Sequence, residues 1–239
     1  MTASLARRLG AEFIGTGMLV CVVVGSGIAA ESLTADVGLQ LLENALATAA
    51  GLAVLILVFG PVSGAHFNPL VSMADWLLGR RSRTGLPLHE VGAYGCAQVV
   101  GAVGGALLAN AMYGLPLVEW STRTRSGGAL WLSEVVATAG LLLVIVVLAR
   151  TGRTAQVAWA VGVYIGAAYW FTASTSFANP AVTIGRAFSD SFAGIAPASI
   201  AGFVAAQVVG AAVALGLFAA LFSPTDHAVE ALVVPREPA

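Results

Sequence analysis

The chain has 239 residues, of which 58% are hydrophobic and only 10% charged, with a formal net charge of −1. A soluble domain carries roughly 25% charged residues, so that class is excluded, and the near-neutral balance leaves no electrostatic footprint for nucleic acid. Apolar runs of about 20 residues recur, the length a helix needs to cross a bilayer, so the composition points to an all-α polytopic protein whose first partner is the lipid bilayer.

Span 1 covers about residues 8–30. Arg7 and Arg8 before an apolar run superficially resemble a signal peptide, but the run is too long for a usual hydrophobic region and contains Glu12, so it reads as a retained span. A short loop with Glu31 and Asp36 leads to span 2, about 39–60, which Gly60-Pro61 closes. A short helix, about 68–79, follows; at roughly 1.5 Å per residue it crosses only half a bilayer. Span 3 is about 89–113, and a longer loop with Pro116, Trp120, Arg123 and Arg125 divides the chain. Span 4 (about 129–149), span 5 (about 156–174), a second short helix (about 179–189) and span 6 (about 195–222) complete the set, followed by a polar tail with Asp226, Glu230 and Arg236. The domain reading is one channel-like unit over 1–223, built from repeats at about 5–113 and 128–222, with 224–239 as a cytoplasmic tail.

One pattern occurs twice. Ser63-Gly-Ala-His-Phe-Asn-Pro-Leu-Val-Ser72 and Ser174-Thr-Ser-Phe-Ala-Asn-Pro-Ala-Val-Thr183 each place Asn-Pro at the start of a short helix. Asn is a favoured N-cap and Pro suits the first helical position. Non-helical backbone at membrane depth survives only where it is buried in protein or lines a wet cavity, so two open helix N-termini there imply a pore or binding site. The halves repeat elsewhere: Glu12-Phe-Ile-Gly-Thr16 matches Glu134-Val-Val-Ala-Thr138, and Gln98 matches Gln207 within Ala-Gln-Val-Val-Gly-Ala. Each half holds three spans, and an odd number inverts the second repeat relative to the first. Arg7, Arg8, Arg80, Arg81, Arg83, Arg150, Arg153 and Arg236 fall on one side, against Arg123, Arg125 and Arg186 on the other. The first side is therefore the cytoplasm, with both termini inside.

Glu12 and Glu134 are acids within apolar spans, a functional signal by default. Their repetition supports a plainer role, accepting backbone N–H bonds from the re-entrant loop of each half, with Gln98 and Gln207 as further internal partners. His66 sits at the mouth of the first short helix, as either a pH-sensitive gate or a satisfied structural histidine. Gly92, Gly95, Gly101, Gly104, Gly202 and Gly210 read as sites of close helix approach. Cys21 and Cys96 read as packed side chains, and Tyr169 and Trp170 mainly as packing. No metal-ligand cluster, phosphate loop or nucleophile–histidine pair is present in the sequence, so neither cofactor, metal nor enzymatic activity is expected.

Six spans, two inverted halves and two Asn-Pro half-helices resemble the major intrinsic proteins, the aquaporins and aquaglyceroporins, over essentially the whole chain. Gly60-Pro61 and Asn179-Pro-Ala-Val-Thr183 further resemble bacterial members found with arsenic-resistance genes. The resemblance implies one pore per protomer, a homotetramer in the inner (plasma) membrane, and passive passage of small neutral solutes. Asn68 and Asn179 would face the pore midpoint, and the carbonyls of Gly64, Ala65, His66, Thr175, Ser176 and Phe177 would form a polar ladder. The outer filter maps onto Thr48, Ala167, Ser176 and Val182, where Val182 replaces the family's usual arginine and no bulky aromatic stands. Such a wide, uncharged mouth would admit water, glycerol-like polyols, urea and neutral metalloid acids such as arsenite. Leu70 replaces the family's alanine, either narrowing the midpoint or filling space behind it. Arg186 is placed in the vestibule; the other placements are a displaced filter charge, which would favour water alone, and a pair with Asp190. An ion-coupled secondary transporter is a more distant alternative, disfavoured because Asp75 and Asp190 lie at the far ends of the short helices.

Overall fold

The structure, a computed structural model, describes residues 3–80, 82 and 84–222. Arg81, Arg83 and the tail expected at 224–239 lie outside the described residues. Eight α-helices make up the described chain: α1 Leu5–Leu33, α2 Val37–Ser63, α3 Pro69–Gly79, α4 Leu88–Met112, α5 Gly128–Arg150, α6 Thr154–Phe171, α7 Pro180–Gly185 and α8 Ile200–Leu221.

Local chemistry sets the helix ends. The Asp36 carboxylate caps α2 by accepting from the N–H groups of Gly38 and Leu39. The helix stops at Gly64, whose left-handed backbone (φ 89°) suits glycine. Asn68 and Asn179 cap α3 and α7, each with Pro at the first helical position. α7 is only six residues long and tightens into a 3-10 turn over Arg186–Phe188.

By length and composition, α1, α2, α4, α5 and α8 with its preceding turn can cross a membrane. α6 has 18 residues and runs about 27 Å at 1.5 Å per residue, close to the ~30 Å hydrocarbon core. Exposed side chains on these helices are large and apolar, among them Ile14, Val58, Val163 and Leu221, as a lipid-facing surface requires.

The two halves pack alike. α1 runs against α4 and α5 against α8, and glycines set the spacing. A Cβ on Gly101 would lie 2.2 Å from the Phe13 carbonyl oxygen, and one on Gly105 would lie 1.9 Å from that of Gly17. Gly210 repeats this against the Val135 oxygen at 2.5 Å. Gly202 faces the Trp131 indole, whereas Gly92, Gly95 and Gly104 meet nothing within 4 Å. Those last three therefore serve no contact inside the protomer, contrary to the sequence expectation. Cys96 is likewise exposed, while Cys21 is buried; both are free thiols. α2 and α6 join the halves, with Gly162 against the backbone of Ala49.

Candidate functional site

Each re-entrant loop is strained backbone held by one buried carboxylate. Ala65 and Phe67 in the first loop, and Thr175, Ser176 and Ala178 in the second, have φ between 49° and 62°. A non-glycine residue in the left-handed region costs on the order of 1 kcal/mol, so something must compensate. Glu12 accepts from the N–H groups of His66 (3.0 Å) and Phe67 (2.7 Å), the Ser63 hydroxyl (2.6 Å) and the Gln98 amide (2.7 Å). Glu134 accepts from the N–H groups of Phe177 and Ala178, both at 2.9 Å, and from the Gln207 amide at 2.7 Å. Both carboxylates are fully buried, and hydrogen bonds to a charged acceptor are the strong kind.

At the centre the two loops exchange bonds. The Asn68 amide donates to the Ala178 carbonyl at 2.8 Å, and the Asn179 amide donates to the Phe67 carbonyl at 2.7 Å. Each Asn oxygen meanwhile caps its own helix, accepting from Leu70 in one case and from Ala181 and Val182 in the other. Two helix N-termini, each equivalent to roughly half a positive charge, thus face one region.

A cavity of about 60 Å³ runs past this junction, above the ~10–15 Å³ needed to admit water. Its lining is partly aliphatic, with Leu19, Val23, Leu52, Ile56, Leu141 and Ile145, and partly polar, with Asn68, Asn179, Ser176 and His66. No Asp or Glu among the described residues lines it. Of the six residues expected to supply the carbonyl ladder, Ala65, His66, Ser176 and Phe177 border the cavity, while Gly64 and Thr175 do not. The His66 ring lies 3.0 Å from the Ser72 hydroxyl through Nδ1 and packs against Tyr94. Leu70 is absent from the wall, and Val71 stands there instead, so Leu70 fills space behind the contact.

The outer end corrects the sequence reading in two places. Thr48, Ser176 and Val182 line the cavity as expected, but Ala167 is exposed on the outside of α6. Its place is taken by Ile165 and Tyr169, one helical turn apart. Ala167 lies two residues from both Ile165 and Tyr169, and two residues on a helix of 3.6 per turn reverse the face. The Tyr169 hydroxyl meets the Thr48 hydroxyl at 3.1 Å, so an aromatic does stand at this end of the cavity.

Arg186 is the second correction. It is only 1% exposed and lines the cavity instead of standing in an open vestibule. Its Nε donates to the Ala193 carbonyl, and its guanidinium lies 3.4 Å from the centroid of the Phe177 ring. Nor does it pair with Asp190, which accepts from the backbone N–H and hydroxyl of Thr122.

Arg125 was not singled out by sequence. It sits in the segment between α4 and α5, donating from Nε to the Gly194 carbonyl (2.8 Å) and from a terminal nitrogen to Phe192 (3.1 Å). Burial, then the neighbouring charges of Arg186 and Arg123, pull its guanidinium down to about 9, still cationic at neutral pH. The repeat offers no matching residue in the first half, so only the folded loop brings it here. Among the described residues no group of three His, Cys, Asp or Glu side chains could hold a metal ion.

Comparison with known proteins agrees with this geometry. A family model described as Major intrinsic protein matches residues 1–157. The chain is 51% identical over 220 residues, 92% of each sequence, to "Aquaglyceroporin AqpS" of Rhizobium meliloti. It is 30% identical over 175 residues to the "Glycerol uptake facilitator protein" of Pseudomonas aeruginosa, covering 64% of this chain and 60% of that one. The X-ray structure of the aquaglyceroporin from Plasmodium falciparum superposes with a TM-score of 0.69 at 25% identity, covering 92% of this chain and 98% of that chain.

Proposed function

This chain belongs to the major intrinsic protein family, and we propose that its permeants are water, glycerol-sized polyols, urea and neutral metalloid acids such as arsenite. It is a membrane channel that passes small neutral solutes without energy coupling. One observation carries the choice of permeants: the cavity lining combines aliphatic side chains with polar groups around Asn68 and Asn179, and no carboxylate among the described residues lines it. A polyol lays its carbon edge on the first and its hydroxyls on the second. An ion-coupled transporter needs acids beside its substrate; Glu12 and Glu134 are instead occupied by the loop amides.

A second reading, selectivity for water alone, draws on the buried Arg186 beside Tyr169, which narrows the outer end and gives it charge. Purified protein in proteoliposomes, measured by stopped flow for water, glycerol, urea and arsenite side by side, separates the two. Glycerol and arsenite uptake well above empty vesicles supports the broad channel; water permeability alone supports the narrow one.

The arginine bias of the loops supports both termini in the cytoplasm of a plasma-membrane protein. The family pattern and the unpartnered apolar faces of the protomer support a homotetramer; cross-linking in the membrane tests it.

A further inference from the structure

Two guanidiniums converge on the Phe177 ring, Arg186 at 3.4 Å and Arg125 at 5.2 Å from its centroid. Neither forms an ion pair; those found among the described residues are Arg8–Glu90 and Arg123–Glu31. The buried acid Glu134 attracts both guanidiniums from a distance, but its oxygens are taken by two loop N–H groups and Gln207, and it does not line the cavity. Arg186 lines the outer end of the cavity with no carboxylate among the described lining residues beside it.

Three consecutive carbonyls fix the two side chains. Phe192 and Gly194 accept from Arg125, and Ala193 accepts from Arg186. The bonds to the Ala193 carbonyl and to Tyr169 leave further donors among the five on the Arg186 guanidinium. Ser176 supplies an independent sign of a ligand: its hydroxyl is buried in the wall of the same cavity with no hydrogen-bond partner in the protein. A buried hydroxyl left alone is costly, so this one is built to meet something that enters. A guanidinium presents parallel donors to the O–X–O edge of an oxyanion, and a hydroxyl can donate to a third oxygen.

We propose that this outer end is a binding site for a small monovalent oxyanion, held by Arg186 and Ser176 and supported by the second charge of Arg125. This rests on the channel reading. The anion is held there because Arg186 is a full fixed charge with Arg125 beside it, against only partial charges at the helix N-termini further in, so an occupied site obstructs the neutral solute.

Nitrate suits the test, since it is planar, singly charged and has no neutral form near pH 7. Glycerol uptake by the purified full-length protein in proteoliposomes is followed by stopped flow, with sodium nitrate replacing sodium gluconate at constant ionic strength and osmolarity. Nitrate should slow uptake saturably. Ser176→Ala and Arg186→Gln should each weaken the apparent nitrate affinity roughly tenfold or more, the order expected for lost bonds to a charged ligand. Arg153→Ala, at the turn before α6, should retain the block. Ser176→Ala removes one unpartnered hydroxyl, so it keeps the test decisive if Arg186→Gln folds poorly. Equal uptake in nitrate and gluconate, or full block in a folded Ser176→Ala protein, overturns the site. Wild-type uptake no faster than in empty vesicles would instead overturn the channel reading.

Discussion

The hydroxyls of Thr48 on α2 and Tyr169 on α6 meet at 3.1 Å, one from each repeat, at the outer end of the cavity. This end of the cavity is thus a contact between the halves, and its width depends on how α2 packs against α6. Tyr169→Ala should widen it and raise the glycerol-to-water permeability ratio several-fold. Ala167→Phe, on the exposed face of α6, should leave the ratio unchanged. Stopped-flow measurements on both variants check the assignment; the opposite pattern would restore Ala167 to the filter.

Asn179→Asp should admit cations. The substitution removes the amide that donates to the Phe67 carbonyl and puts a negative charge where two helix N-termini converge. Planar-bilayer recordings should show sodium current in the variant and none in the wild type. Equal currents in the two proteins would mean that the paired N-termini do not exclude cations.

Glu12→Gln should destabilise the protein by about 2–4 kcal/mol, because a buried acceptor of charged hydrogen bonds becomes partly a donor facing donors. Glu134→Gln should behave similarly, as it holds the equivalent N–H pair. Thermal unfolding in detergent measures both. A transition temperature unchanged in both variants would remove the carboxylates from any role in supporting the loops.

Gly105→Val should prevent proper assembly, since even a Cβ would lie 1.9 Å from the Gly17 carbonyl oxygen and backbone cannot yield cheaply. Gly104→Val, with nothing within 4 Å, should fold normally. Size-exclusion profiles and thermal melts of the pair separate close packing within the protomer from a general intolerance of bulk on α4.

Val182→Arg should cut glycerol and arsenite flux while sparing water, because Val182 lines the cavity beside Ser176. Leu70→Ala should change neither, because Leu70 lies off the wall. Side-by-side solute uptake at equal protein density decides this. A Val182→Arg protein with wild-type glycerol uptake would place the constriction elsewhere.

The sequence alone determined the scaffold. Apolar length, the twice-used Asn-Pro and the doubled Glu and Gln are local or periodic signals, and they specify eight helices, two of them short and opposed. It also named the loop supports, because a buried acid repeated beside a buried loop has few other partners. The outer end was decided only by tertiary structure. A shift of two residues along α6 exchanges Ala167 for Tyr169, and no local pattern reports helix rotation when every face of α6 is apolar. Arg186 and Arg125 are brought to Phe177 by the carbonyls of residues 192–194. The Arg125 contacts join positions 67 and 69 apart, whereas Arg186 reaches a carbonyl only seven positions along, so the two charges meet only once the loops have closed over the bundle.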